Sequence, residues 1–407
     1  MADKRELHKK RLRENLISSD TKVEVRKRRP VVYIFLTAVV LLCAVLGFWY
    51  YSHLTRTAGS FQEMWEKETE GSGAALTFKG YEPFCGGIIT YTKDGAEYTD
   101  GNGNAVWQKS YQMSDPVCSV NGGFAVIIDR GGTTGCIFSE EQNTGNLSTV
   151  MPVSMARVSG KGVVYAVMND DGADYISVFR KDGSALDITV KSVIDGDGYP
   201  FSIGVSPSGS QLITSYVAVG EGTVDTSVVF RNFGEVGQNQ DSRRVVGGFI
   251  DEFAGHIVTS VGFSDEEHAH AFYDGGVAFF STKVLNSPEM KGKAEFPEEM
   301  LSVASSASHV AVITENEDSE NPRKLRIYDN NGELTGEAVF NLIYTGFSVN
   351  ENNILIHSGD RILCFDLHGR LIADLSWDGK ITYVSGTTRL REFIVCESGR
   401  TCRIKAE

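Results

Sequence analysis

The sequence predicts an all-β fold, a β-propeller of eight four-stranded blades, preceded by a single N-terminal transmembrane helix. Three observations carry this. Glycine is abundant and proline scarce, at 43 and 9 of 407 residues, against usual shares of ~7% and ~5%; that is the balance of a chain with many turns and few rigid loops. Short runs rich in Val, Ile, Phe, Tyr and Thr recur between clusters of Gly, Asn, Asp and Ser. One stretch of 21 residues, 31–51, contains no charge. The apolar fraction of 41% is ordinary for a globular protein and excludes collagen, a polar disordered chain and a cysteine-stapled mini-protein.

From the N-terminus, residues 1–30 form a basic tail with eleven Lys or Arg and five Asp or Glu, a net +6, whereas the rest of the chain carries 28 basic and 48 acidic residues, a net −20. The run VVYIFLTAVVLLCAVLGFWYY (31–51) at helical rise matches the ~30 Å of a bilayer core. Arg26, Lys27, Arg28 and Arg29 precede it, Arg56 is the only basic residue in the first turns after it, and Trp49, Tyr50 and Tyr51 form an aromatic belt at its far end. That asymmetry predicts a cytoplasmic N-terminus and an extracytoplasmic C-terminal domain. A cleaved signal peptide shares the order basic, apolar, polar, but its apolar core is shorter, at ~7–15 residues, and Thr55, Arg56, Thr57, Ala58 is a poor cleavage site. Basic residues interspersed with Leu7, Leu12, Leu16 and Ile17 fit a short amphipathic helix on an anionic inner leaflet, or a topology signal alone. After the anchor, Phe61, Met64 and Trp65 fall at i, i+3 and i+4, the spacing of one apolar helix face. Gly71, Ser72 and Gly73 interrupt it, so 52–73 reads as a juxtamembrane stalk and the propeller as 74–407.

Within the body the runs group in fours. In MARVSGKGVVYAVMNDDGADYISVFRKDGSALDITV, strands are separated by SGKG, NDDGA and KDGS, turn residues that tolerate positive φ. Second strands marked near Ile88, Phe124, Val163, Ser210, His268, His309, Ile354 and Glu392 span 304 residues in seven intervals, a mean of about 43, within the roughly 40–50 of a four-stranded propeller blade. Related turns recur as TKDGAEY at Thr92, FRKDGSAL at Phe179, YDNNGELTG at Tyr328 and FDLHGRLIADL at Phe365. The eighth group ends one strand short at Glu407, and 74–79 (AALTFK) is expected to supply the missing outer strand and close the ring. Seven blades is the alternative, because groups four and five are irregular.

This turn spacing resembles the quinoprotein-like and WD-repeat-like propellers, without their regular Gly-His, Trp-Asp or tryptophan docking motifs. Basic tail, single helix, stalk and acidic propeller together resemble a family of single-pass membrane-anchored extracytoplasmic propellers of Gram-positive bacteria, domain of unknown function 5711. The resemblance implies a cell-envelope location and supplies no activity.

Candidate sites are few. Cys85, Cys118, Cys136, Cys364, Cys396 and Cys402 lie outside the anchor with no CxxC, so no zinc or redox motif is present. In FIVCESGRTCRIK, a loop of Ser398-Gly399-Arg400 would let Cys396 and Cys402 face each other and form a disulfide; a loop of Gly399-Arg400 would turn them to opposite faces. Asp265, Glu266, His268 and His270 place two histidines on one strand face, a workable metal geometry that lacks a third ligand. Asp195 and Asp197 in DGDG lack the terminal Glu of a calcium loop. Asn146-Leu147-Ser148 fits a glycosylation sequon. Nucleophile elbows and metalloprotease helices are missing, and GNGN at Gly101 and VGEGT at Val219 lack the following helix of a phosphate loop. No catalytic, cofactor-binding or metal residue is assigned, and no cofactor is expected. A body at −20 is repelled by nucleic acid. The expected function is a non-enzymatic scaffold binding a protein or glycan partner in the envelope, with a sensing role for the tail as an extension. An enzyme or ligand-binding propeller acting on an extracellular small molecule or polysaccharide is the alternative.

Overall fold

The computed structural model describes residues 3–17, 30–68, 79–220, 223–240 and 243–407, and the chain divides into two compact units, Met1–Arg56 and Thr57–Glu407. In the first, α1 (Asp3–Ile17) is charged along most of its length. Leu7 and Leu12 are both exposed, at 58% and 52%; five residues apart, they point roughly 140° away from each other, so the expected amphipathic stripe does not form among the described side chains. The second helix, α2 (Pro30–Thr55), carries the uncharged run. Among the described residues, no helix is long and apolar enough to cross a membrane. Arg26, Lys27, Arg28 and Arg29, the expected topology signal, lie outside the described residues, as do Gly71, Ser72, Gly73 and Ala74.

The second unit is a propeller of eight four-stranded antiparallel sheets. After β1 (Phe61–Glu68), the blades are β2–β5 (79–110), β6–β9 (116–148), β10–β13 (153–193), β14–β17 (199–249), β18–β21 (258–295), β22–β25 (300–340), β26–β29 (346–376) and β30–β32 (381–406) completed by β1. The second strands begin at Gly87, Phe124, Val164, Gln211, His268, His309, Ile354 and Glu392, each within one residue of its expected position. First strands of neighbouring blades pack on one another from β2 through β18 and from β22 through β30, and β30 packs on β2 to close the ring. Between blades the core is aliphatic and aromatic, with Trp107 of blade one stacked on Phe138 of blade two at 4.3 Å.

The shared turns have a common cause. In blades one, six and seven, Asp100, Asp329 and Asp366 each accept hydrogen bonds from the amides two and four residues on, at 2.8–3.0 Å, locking the turn into the last strand. The blade-three version uses Asp182, which accepts from Ser184 N. Its Gly183 has φ +84, and a Cβ there would lie 2.1 Å from the Asn146 carbonyl oxygen. The Thr92 turn joins second and third strands and is not of this class.

Two N-terminal expectations are corrected. The outer strand that completes blade eight is β1, paired antiparallel with β32 from Phe61 opposite Ala406 to Glu68 opposite Arg400, and not 74–79. Residues 74–78 lie outside the described residues, and Lys79 begins β2. The segment carrying Phe61, Met64 and Trp65 is therefore strand, not helix. A bulge between Glu63 and Trp65 turns the two aromatics to opposite faces of the strand, where i and i+4 would otherwise share one, and the edge of β32 supplies backbone partners that a helix would leave unused. Phe61 stacks on Trp377 at 4.9 Å, Trp65 Nε1 donates to Gly101 O at 2.9 Å, and Arg400 reaches Glu63, Glu66 and Glu397. Upstream, Ala58 is buried and bridges to Ala373 of blade seven, so the compact unit reaches back to Thr57, well into the expected stalk.

Candidate functional site

The acidic and histidine residues singled out in the sequence are held by separate partners. On β19 (His268–Tyr273), His268 Nδ1 meets the Asp265 carboxylate at 2.8 Å, and Asn330 Nδ2 donates to the same group at 3.3 Å. Glu266 turns to blade four, accepting from Ser208 Oγ at 2.9 Å. His270 is enclosed, 3.3 Å from Ser264 Oγ, and burial pushes its imidazole down to about 4. Among the described residues no three His, Cys, Asp or Glu side chains gather where a metal could sit. Asp197, in the one-turn α3 (Ile194–Asp197), accepts from Val193 N at 3.0 Å and pairs with Arg243 at 2.8 Å. Asn146 lies on the outer strand of blade two, where its Oδ1 is 3.6 Å from Cys136 Sγ.

The disulfide is not formed. The β31–β32 register sets Cys396 opposite Thr401 and Cys402 opposite Val395, so the loop is Ser398-Gly399 and the two side chains leave opposite faces of the hairpin. Cys396 packs with Ile88 and Ile394, Cys402 with Phe393 and Ile404, and both are free thiols.

Around the axis, first strands contribute one acidic and one basic group that act on each other. Glu82, on β2 (Lys79–Phe84), has its carboxyl pushed up to about 7 by burial, with the charge of Arg157 on β10 (Val153–Val158) pulling it back. Beside them Tyr81 stacks on Tyr383 at 5.6 Å across the join of blades one and eight. Nothing in the sequence marks Glu82 or Arg157, each a single charge in a strand whose partner is supplied by another blade.

Blade four departs most from the repeat. Its hairpin of β15 (Gln211–Gly220) and β16 (Thr223–Asn232) has ten residues per strand, where the second strands elsewhere have four to seven. The flanking strands do not follow it outward. β14 (Tyr199–Val205) pairs with β15 only as far as Val217, and β17 (Val245–Phe249) pairs with β16 only over Val228–Arg231. Among the described residues, the outer edge of β16 from Thr223 to Ser227 therefore has no strand beside it. On the face that nearer the ring packs Ile213 and Val228 against blade five, the register continues outward with Tyr199 opposite Val217 and Val219 opposite Val224. Here the side chains emerge from the protein: Val219 is 74% exposed, Tyr199 47% and Val224 40%. The VGEGT piece is the tip of this hairpin, with residues 221 and 222 outside the described set.

A family model covers residues 55–405, nearly the whole propeller unit. The chain belongs to DUF5711, a family of unknown function. No curated protein matches it. Among solved structures it is similar to BamB from Moraxella catarrhalis (TM-score 0.51, 11% identity, covering 85% of this chain and 100% of that one). It is also similar to apo AztD from Citrobacter koseri (0.51, 11%, 75% and 87%), and to Sqt1 from Chaetomium thermophilum bound to the N-terminus of the ribosomal protein L10 (0.50, 11%, 81% and 92%). At these identities the likeness is one of fold, and fold does not choose among binding and catalytic roles.

Proposed function

We propose that this DUF5711 chain is a membrane-tethered scaffold whose propeller binds a polypeptide partner through the projecting hairpin of blade four. The observation that carries the reading is that hairpin, whose tip runs beyond both flanking strands and exposes Val219, Val224 and Tyr199. Exposed apolar side chains clustered on a projecting element match a docking patch for a protein surface or segment. Such a patch favours a protein over a glycan, and the −20 body disfavours nucleic acid.

The tether is the uncharged run 31–51. Its support is the length of the run, the basic residues before it, and the exposure of Phe35, Leu36, Val40, Leu41, Val45 and Leu46 around α2, a helix apolar on all sides that water does not accommodate. In this reading 1–30 is cytoplasmic and 57–407 lies outside the plasma membrane in the envelope.

Crosslinking in intact cells, comparing wild type with the double variant V219E/V224E, tests the scaffold: the copurifying partner is expected to disappear while the propeller stays folded. An unchanged partner set would refute blade four as the docking face. Carbonate extraction and protease accessibility in whole cells test the tether, which fails if the chain is released from membranes or the propeller is protected in intact cells.

A further inference from the structure

We propose that the seam between blades three and four holds a binding site for a small oxyanion, a carboxylate, sulfate or phosphate, centred on Arg231. This is independent of the partner site at the hairpin tip. Arg231, on β16, is only 5% exposed. Its Nε and Nη1 are buried with no hydrogen-bond partner, and it enters none of the ion pairs among the described residues. Its one described neighbour interaction is with the ring of Tyr216, 5.3 Å from the guanidinium carbon. Two other largely enclosed arginines of the propeller are paired, Arg326 with Glu298 at 2.8 Å and Arg403 with Glu392 at 2.5 Å. A guanidinium keeps its charge at any physiological pH, and a buried charge without a counter-ion is strongly unfavourable. Among the described residues no carboxylate supplies that counter-ion, which leaves Arg231 as the receptor for a bound anion.

The surroundings define what fits. Arg231 lies opposite Leu212, and Thr214 is two residues further along β15, so the side chains of Arg231, Thr214 and Tyr216 share the face directed at blade three. Thr214 is fully buried, and its hydroxyl also has no partner. The Tyr216 hydroxyl is already engaged, 3.1 Å from Ser192 Oγ of blade three. Asp174, opposite Ser192 on blade three, accepts from Asn169 at 2.6 Å and is not within ion-pair reach of Arg231. What remains is an aromatic wall, a buried guanidinium and a partnerless hydroxyl, a setting suited to an oxyanion of a few atoms.

The test is thermal unfolding of the full-length protein in detergent, titrated at constant ionic strength with sodium sulfate, phosphate or acetate against chloride. Wild type is expected to show a saturable rise in midpoint with at least one oxyanion; at a hundredfold excess over Kd the folding equilibrium shifts about a hundredfold. R231M should lose the response, and T214V should weaken it at least severalfold. Should R231M fail to fold, T214V with calorimetric titration of the same anion decides. Absence of any saturable response in wild type, or an equal response in R231M, overturns the site.

Discussion

Arg403 and Glu392 meet at 2.5 Å with side-chain exposures of only 12% and 6%, and the same guanidinium donates through Nη1 to the Gly101 carbonyl of blade one. One residue thus binds the last hairpin internally and fastens it to the first blade. Removing one member of a buried pair strands the other charge, at a typical cost of about 3–5 kcal/mol. R403M is expected to destabilise the propeller by that amount in urea unfolding, with part recovered in R403M/E392Q. A loss below about 1 kcal/mol would show the pair to be incidental.

Closure by β1 makes a sharp prediction about truncation. A chain starting at residue 57 keeps Ala58 docked on blade seven and β1 on β32, and should unfold cooperatively. A chain starting at residue 70 loses the outer strand of blade eight and exposes the β32 edge. It should lose several kcal/mol and aggregate through that edge. Equal stability of the two chains by chemical denaturation would refute the closure.

The pH dependence of stability carries two opposed contributions. Burial pushes His270 down to about 4, so its neutral form favours the fold above the unfolded value of about 6.5 and that advantage fades as pH falls toward 4. Burial pushes Glu82 up to about 7 from 4.5, so its protonated form favours the fold in acid and that advantage fades as pH rises toward 7. At about 1.4 kcal/mol per pKa unit, each window is worth about 3 kcal/mol. Between pH 7 and 4.5, wild type should lose stability relative to H270Q and gain it relative to E82Q. Urea unfolding at three pH values in that range checks this, and parallel profiles for all three proteins would contradict both assignments.

With Cys396 and Cys402 on opposite faces, reductant should leave the unfolding midpoint unchanged, and denaturation with an alkylating agent should label both thiols. An intact mass two hydrogens short, restored by reduction, would mean that the hairpin adopts the facing register.

The blade pattern was legible because its signals are local. An Asp whose carboxylate binds amides two and four residues ahead, as at Asp329 and Asp366, writes its turn within five residues. Together with the Gly, Asn, Asp and Ser clusters between the other strands, such turns mark off the runs that place each second strand to within one residue. The closing strand was not legible, because Phe61 and Trp65 at i and i+4 suit a helix as well as a bulged strand, and the decision rests on β32, more than 330 residues away. Nor were Cys396 and Cys402, where one residue of loop length separates a facing pair from an opposed one.

By itself, then, the sequence determined the repeat, the eight blades and the uncharged N-terminal run, all of which depend on composition and on spacings shorter than a blade. Only the tertiary structure decided which N-terminal segment seals the ring. Only it also brought Glu82 under the influence of Arg157, and left Arg231 enclosed beside Tyr216 and Thr214 with no counter-ion among the described residues. Those features arise where distant segments meet, and the desolvation and pairing that give a charge its meaning exist only once the facing blade is in place.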